Sequence, residues 1–94
     1  MEINFEWDES KANQDNKKHP GVSFDEAKTV FDDENSITID DPDHSTEEHR
    51  YIDIGFSAKG RILVVVYTER NGNIRIISAR KATFIERKKY EEHE

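Results

Sequence analysis

The chain contains no cysteine, which removes disulfides, thiolate metal ligands and cysteine nucleophiles together. Two prolines and four glycines among 94 residues leave no room for a Pro/Gly-rich linker, and no internal repeat is visible. The longest apolar run, Ile62 to Tyr67, has six residues, far short of the roughly 18 needed to cross a membrane. Residues 1–10 are acidic and lack the basic start and apolar stretch of a secretory signal. Basic side chains are outnumbered 14 to 21, for a formal net charge of −7. That balance argues against a general nucleic-acid coat, because phosphate binding draws on clustered Lys and Arg. The expectation is a soluble, cytoplasmic single domain spanning residues 1–94, with one modest core.

Charge is unevenly distributed. Residues 1–49 carry 4 basic and 15 acidic groups, whereas residues 50–94 carry 10 basic and 6 acidic. Between positions 70 and 90, Arg70, Arg75, Arg80, Lys81, Arg87, Lys88 and Lys89 stand against Glu86 alone. Such asymmetry points to a basic surface on an acidic body, unless the charges are simply solvated faces. Val, Ile, Phe and Tyr gather in short runs, so the chain is not expected to be disordered.

Glu2 to Trp7 alternates polar and apolar residues, the pattern of a half-buried strand. Asp8 suits a helix N-cap, and Glu9 to Lys18 reads as a helix stopped by His19-Pro20-Gly21, with Ala12 its only apolar residue. Ser23-Phe24-Asp25-Glu26 is a capping box in sequence, and Phe24, Ala27, Val30 and Phe31 form a stripe behind it. Strands follow at 36–40, 50–57, 61–70 and 73–80, the third apolar on both faces and therefore central. Asn71-Gly72 marks a tight hairpin, and Thr83 to Glu86 is a second capping box opening a short C-terminal helix. The order β-α-α-β-β-β-β-α predicts an α+β fold, an antiparallel sheet covered by helices.

Chemistry is sparse in the acidic half. His19, Asp40, Asp41, Asp43, His44, Glu47, Glu48 and His49 are possible metal ligands, but their spacing fits no zinc signature or calcium loop. No metal or other cofactor is expected. The serines lack a nucleophile elbow and no glycine loop cradles phosphate. In the basic half, Arg75 and Arg80 fall on opposite faces of the last strand if pairing is regular, since their spacing is odd. Arg80 would then share its face with Ile74, Ile76 and Ser78. A patch of Arg75, Arg80, Arg87 and Tyr90 would suit phosphate, with a base stacked on the Tyr ring. The bland alternative pairs Arg80 with Glu69 or Glu86 and leaves Tyr90 covering the core edge. His49 beside Glu48 has the titration range of a general base, or is merely a hydrogen-bonded residue at a strand start, and His44 is open in the same way. Lys17, Lys18 and His19 either form a second basic spot or complement the negative end of the first helix.

These residues also carry a resemblance. Phe5-Glu6-Trp7-Asp8, Lys11-Ala12, Lys18-His19, Gly21-Val22-Ser23-Phe24, Glu26-Ala27 and Val30-Phe31-Asp32-Asp33 resemble the first half of the BrnT family. The likeness continues through Asp41 to Ser45, Glu48, Arg50-Tyr51, Ile54-Gly55, Ser57 and Gly60-Arg61. Leu63 to Arg70, Ile74 to Thr83, Glu86-Arg87 and Tyr90-Glu91 complete it, so that it covers nearly the whole chain. The resemblance implies the ribonuclease toxin of a type II toxin–antitoxin pair, with a RelE-like fold, that inhibits translation and growth. It further implies a BrnA-like ribbon-helix-helix antitoxin, in a hetero-oligomer that binds operator DNA through the antitoxin. RNA cleavage would proceed without metal, the 2′-hydroxyl attacking the adjacent phosphate. On this reading Arg75, Arg80 and Arg61 stabilise phosphate charge, and Tyr90, Glu48 or His49 handles protons or orients a base. Lys18, His19, Lys81 and Arg87 contact RNA. Two other classes stay open: a non-enzymatic interaction domain, and a metal-dependent phosphoesterase built on the Asp/His loop.

Overall fold

The computed structural model describes residues 3–41 and 48–93. The acidic stretch 42–47, including the candidate ligands Asp43, His44 and Glu47, lies outside them.

The first strand, β1, is short, Phe5–Glu6, and is followed by helix α1, Glu9–Lys18. Asp8 caps α1 as its type requires, its carboxylate accepting from the Ser10 and Lys11 amides at 2.8 and 3.2 Å. Helix α2, Phe24–Ala27, tightens at once into a 3-10 segment, Lys28–Asp32. There the Thr29 hydroxyl donates to the Glu26 carbonyl at 2.6 Å and accepts from the Ala58 amide at 2.8 Å, tying the segment to the loop after the third strand. Strands β2 (Ile37–Asp40), β3 (Arg50–Phe56), β4 (Ile62–Arg70) and β5 (Asn73–Lys81) then form an antiparallel meander, and α3 spans Phe84–His93. The β4–β5 turn pairs Arg70 with Asn73 across two residues in the left-handed region, Asn71 at φ 51° and Gly72 at φ 80°, the twist that a tight hairpin needs.

Sheet order is β1-β5-β4-β3-β2. The meander is antiparallel as expected, but β1 joins the far edge parallel to β5, with Phe5 opposite Ile74 and Glu6 opposite Arg75. The sheet is therefore mixed. Alternation at Glu2 to Trp7 marks the strand, but local pattern cannot reveal its partner or direction, because β5 lies some 70 positions away.

One face of the sheet is covered by α1, α2 and the 3-10 segment. Val22, Phe24, Ala27 and Val30 are buried there against Leu63, Val65, Ile76 and Ala79, each large side chain contributing about 1.5–3 kcal/mol by leaving water. Phe5, Phe31, Tyr67 and Tyr51 extend this layer as a row of touching rings, 4.9–5.4 Å between centroids. Close packing is visible at Gly55, where a Cβ would lie 2.8 Å from that of Ser36 and 3.2 Å from Val30 Cγ1. Among the described residues, α3 is the helix on the opposite face, and it seats Tyr90 against Ile54, Ile62 and Val64. Beyond α3, that face carries half-buried Ile52, Val66 and Arg75 and buried Thr68.

Helix α1 has almost no apolar stripe, and the structure shows how it docks without one. Buried Asp15 accepts from the Ala79 amide of β5 at 3.2 Å. Burial holds its carboxyl above the ordinary range, with the Ala79 amide and the charges of His19 and Lys18 pulling the other way. The bond occupies a donor on the edge of β5 that β1 is too short to pair, and so protects an edge that would otherwise invite another strand.

Candidate active site

The decisive local feature is a β-bulge. Val66 pairs with Ser78 but Tyr67 pairs with Ile76, so Ile77 is an extra residue in β5. One inserted residue reverses the alternation beyond it. Ile76 and Ala79, three apart, both enter the helix-covered core. Arg75 and Arg80, five apart, consequently share the open face, which corrects the regular-pairing expectation. Arg80 does not share its face with Ile74 and Ile76; it lies with Ser78, opposite Val64.

Pairing registers then fix the rest of the face. Arg50 pairs with Thr68 and Thr68 with Arg75, so two guanidinium stems flank a threonine about 10 Å apart at Cα, two strand spacings. Arg80 follows about 15 Å along β5, counting the rise per residue. The reach of an Arg side chain makes Arg50 and Arg75 able to converge on one phosphate, and Arg80 suited to a neighbouring one. Sequence analysis passed over Arg50; the signal was its place in the same alternation as Ile52 and Ile54.

Carboxylates balance these cations. Arg75 donates to Glu6 at 2.9 Å across the β1–β5 pair. Arg70 holds Glu48 by two bonds, 2.7 and 2.5 Å. The Arg70 contact, with the fields of Arg75 and Arg50, keeps the Glu48 carboxyl below its usual range despite some desolvation. Arg80 grips Glu86 at 2.6 and 2.7 Å, and this bond foremost drives the Glu86 carboxyl down to about 2. Glu86 also accepts from the Thr83 amide at 2.8 Å and gives its own amide to the Thr83 hydroxyl at 3.3 Å, completing the expected capping box.

Three expected site residues are placed elsewhere. Tyr90 is 1% exposed, and its hydroxyl donates to Asp33 Oδ2 at 2.6 Å while its ring meets Phe56 edge-on. A buried ring cannot stack a base, so Tyr90 is a core residue, as the bland alternative had it. His49 points to the helix-covered side, bonded to Asp40 at 2.9 Å and against the Tyr51 ring, away from Arg75 and Arg80. Arg61 is locked to buried Glu26 at 2.8 and 2.5 Å and also donates to the Gly21 carbonyl. This corrects the first capping box too: Ser23 accepts from the Glu26 amide at 3.0 Å, but the Glu26 carboxylate turns to Arg61 and Ser57 instead of reaching back. The Arg61 bond foremost, with Ser57 and Lys59, holds that carboxyl below its usual range against burial.

Lys81 joins two clefts. The first, about 390 Å³, is lined by His19, Pro20, Val22, Arg80, Lys81 and Thr83. The second, about 350 Å³, brings Arg61, Lys81 and Arg87 together beside Phe56 and Ala82. Lys18 is exposed on the last turn of α1. Among the described residues, no three His, Asp or Glu side chains gather as a metal site. Nor is any helix among the described residues long and apolar enough to cross a membrane.

A sequence profile described as "Ribonuclease toxin, BrnT, of type II toxin-antitoxin system" matches residues 7–86. The chain belongs to the BrnT family. Its fold is also similar to the 1.1 Å crystal structure of the Brucella abortus ribonuclease toxin BrnT, with a TM-score of 0.65 at 20% identity, covering 87% of this chain and 99% of that one. No curated protein gives a significant match. BrnT membership makes this chain a ribonuclease toxin by family, and the type II class implies a protein antitoxin as its partner. In this fold Arg50, Arg75 and Arg80 share the sheet face opposite the core packed under α1 and α2.

Proposed function

We propose that the chain is a RelE-like endoribonuclease that cleaves RNA without a metal ion and thereby blocks translation and growth. The carrying observation is the Ile77 bulge, which puts Arg75 and Arg80 on one open face beside Arg50. The 2′-hydroxyl oxygen attacks the adjacent phosphorus, the bond to the 5′-oxygen breaks, and the products are a 2′,3′-cyclic phosphate and a 5′-hydroxyl. Arg75 and Arg50 stabilise the charge of the five-coordinate phosphorus, and Arg80 holds the next phosphate. Glu48, whose carboxylate lies in the fields of Arg75 and Arg50, accepts the 2′-hydroxyl proton; one proton returns to the leaving oxygen from solvent. Lys81, Arg87, Lys18 and His19 guide the strand, while Arg61 and Tyr90 hold the scaffold.

The partner is a BrnA-like ribbon-helix-helix antitoxin, forming a hetero-oligomer in the cytoplasm that binds operator DNA through the antitoxin. The acidic residues of the first half suit a basic segment of that partner.

The test is cleavage of a defined RNA by the purified chain with chelator present. Cyclic-phosphate ends are expected, with a loss of about 10²–10³-fold in rate for folded Arg75→Ala, the scale of removing one transition-state donor. Arg80→Ala should likewise relieve growth inhibition. Chelator-sensitive cleavage would sink the metal-free mechanism.

One observation favours a second reading. Arg70, Arg75 and Arg80 are all engaged by carboxylates of the same chain. A chain that binds its antitoxin but never inhibits growth on induced expression would be an interaction domain.

A further inference from the structure

The 390 Å³ cleft at the end of β5 has no place in the cleavage step. It is lined by His19, Pro20 and Thr83, together with Val22, which is buried at 1% exposure. Arg80 and Lys81 line it as well. The volume lies within the range of small-molecule sites, about 300–1,000 Å³.

The cleft is also held in shape. His19 ends α1, and the chain turns back at once through Gly21 at φ 86°, with the Val22 amide donating to the His19 carbonyl at 3.4 Å. Arg61 grips the Gly21 carbonyl while it is itself anchored on buried Glu26. Opposite, the Thr83 hydroxyl and amide are both engaged in the α3 capping box.

We infer that this cleft is a nucleobase subsite for single-stranded RNA, taking the base beside the phosphate held by Arg80. The inference rests on the ribonuclease reading and adds a substrate contact to it. A proline and an imidazole in the lining suit the flat face of a base, and a guanidinium and an ammonium beside them suit the phosphates flanking it. A plain anion site would be lined by donors alone, whereas Pro20 and buried Val22 belong to this lining. Arg61 is then a positioning residue, shaping the turn that forms one wall without touching RNA.

The experiment is an amide-resolved NMR titration of the purified chain with AMP, GMP, CMP and UMP in turn, and with ribose 5-phosphate. Nucleotides should shift the amides of His19, Val22 and Lys81 to Thr83, with ribose 5-phosphate much weaker on the same residues. His19→Ala, with its remaining spectrum unchanged, should bind the best nucleotide at least fivefold more weakly, the lower end for loss of one stacking partner. Equal shifts with ribose 5-phosphate would overturn the base assignment, and so would nucleotide shifts confined to residues around Arg50 and Arg75. If RNA is cleaved while nucleotides leave the cleft unmoved, the subsite falls and the ribonuclease reading stands. If nucleotides bind the cleft while RNA survives intact, the subsite stands and the ribonuclease reading falls.

Discussion

Arg80 and Glu86 face each other across the turn from β5 to α3, joined by two parallel bonds of 2.6 and 2.7 Å. The pair has two consequences. It pins the first turn of α3 to the sheet, and it places a carboxylate where a phosphate would sit. Glu86→Gln should therefore lower stability by about 1 kcal/mol in urea titration, through the weakened cap and lost ion pair. The same change should raise affinity for uncleaved RNA by about two- to fivefold, because Arg80 loses its internal competitor. The folded Glu86 carboxyl is depressed to about 2 from an ordinary 4.5. Its contribution is thus complete above about pH 5 and declines as pH falls toward 2, and the Gln variant should lack that part of the acid transition.

Tyr90→Phe separates the catalytic and structural readings of that residue. The hydroxyl is given to Asp33, whose second partners are the Phe56 amide at 2.9 Å and, through Oδ1, the Asn35 amide at 3.0 Å. Burial raises the Asp33 carboxyl, but these donors, Tyr90 first, bring it below its usual value. Loss of one bond to a charged acceptor should cost about 1.5–3 kcal/mol in denaturant stability. The cleavage rate per folded molecule should stay unchanged. A large fall in that rate with stability preserved would return Tyr90 to the active site.

Arg61→Ala strands a carboxylate. The Glu26 side chain is 2% exposed, and Arg61 is its main counter-charge, with Ser57 donating at 2.6 Å. Removing Arg61 should lower stability in urea unfolding, because Glu26 stays buried and loses its nearest counter-charge. Glu26→Gln with Arg61→Ala should recover part of that loss, since no charge is then buried alone.

Asp15→Asn should stabilise. Asp15 buries a carboxyl whose ionised form is disfavoured, and its one hydrogen bond, from the Ala79 amide, can be accepted equally by an amide oxygen. A gain of about 1 kcal/mol at neutral pH is expected in thermal or urea unfolding. With the folded carboxyl raised above its unfolded value of 3.8, the native chain loses stability as pH rises through that region, and the Asn variant should not. Equal stability of the two proteins at pH 7 would contradict this account.

Much of this architecture was written in short-range signals. Asp8, Ser23 and Thr83 mark helix starts because a side-chain oxygen beside orphan amides acts within three residues. Asn71-Gly72 sets its hairpin because the residues themselves supply the positive φ. Alternation at 50–56 and the two-sided run at 62–66 mark the strands and their central placement, and the sequence motifs themselves carry the likeness to the BrnT family. What the sequence could not determine was every relation that depends on a partner far along the chain. The parallel β1–β5 pair joins positions some 70 apart. The Ile77 bulge, a mismatch between two strands, exists in neither alone, yet it decides that Arg75 and Arg80 share a face. Glu26 chooses Arg61 over its own helix cap, and Tyr90 sinks into the core, because burial and charge pairing are settled only when distant segments meet. Local chemistry named the elements, and tertiary packing chose which of their side chains face the solvent.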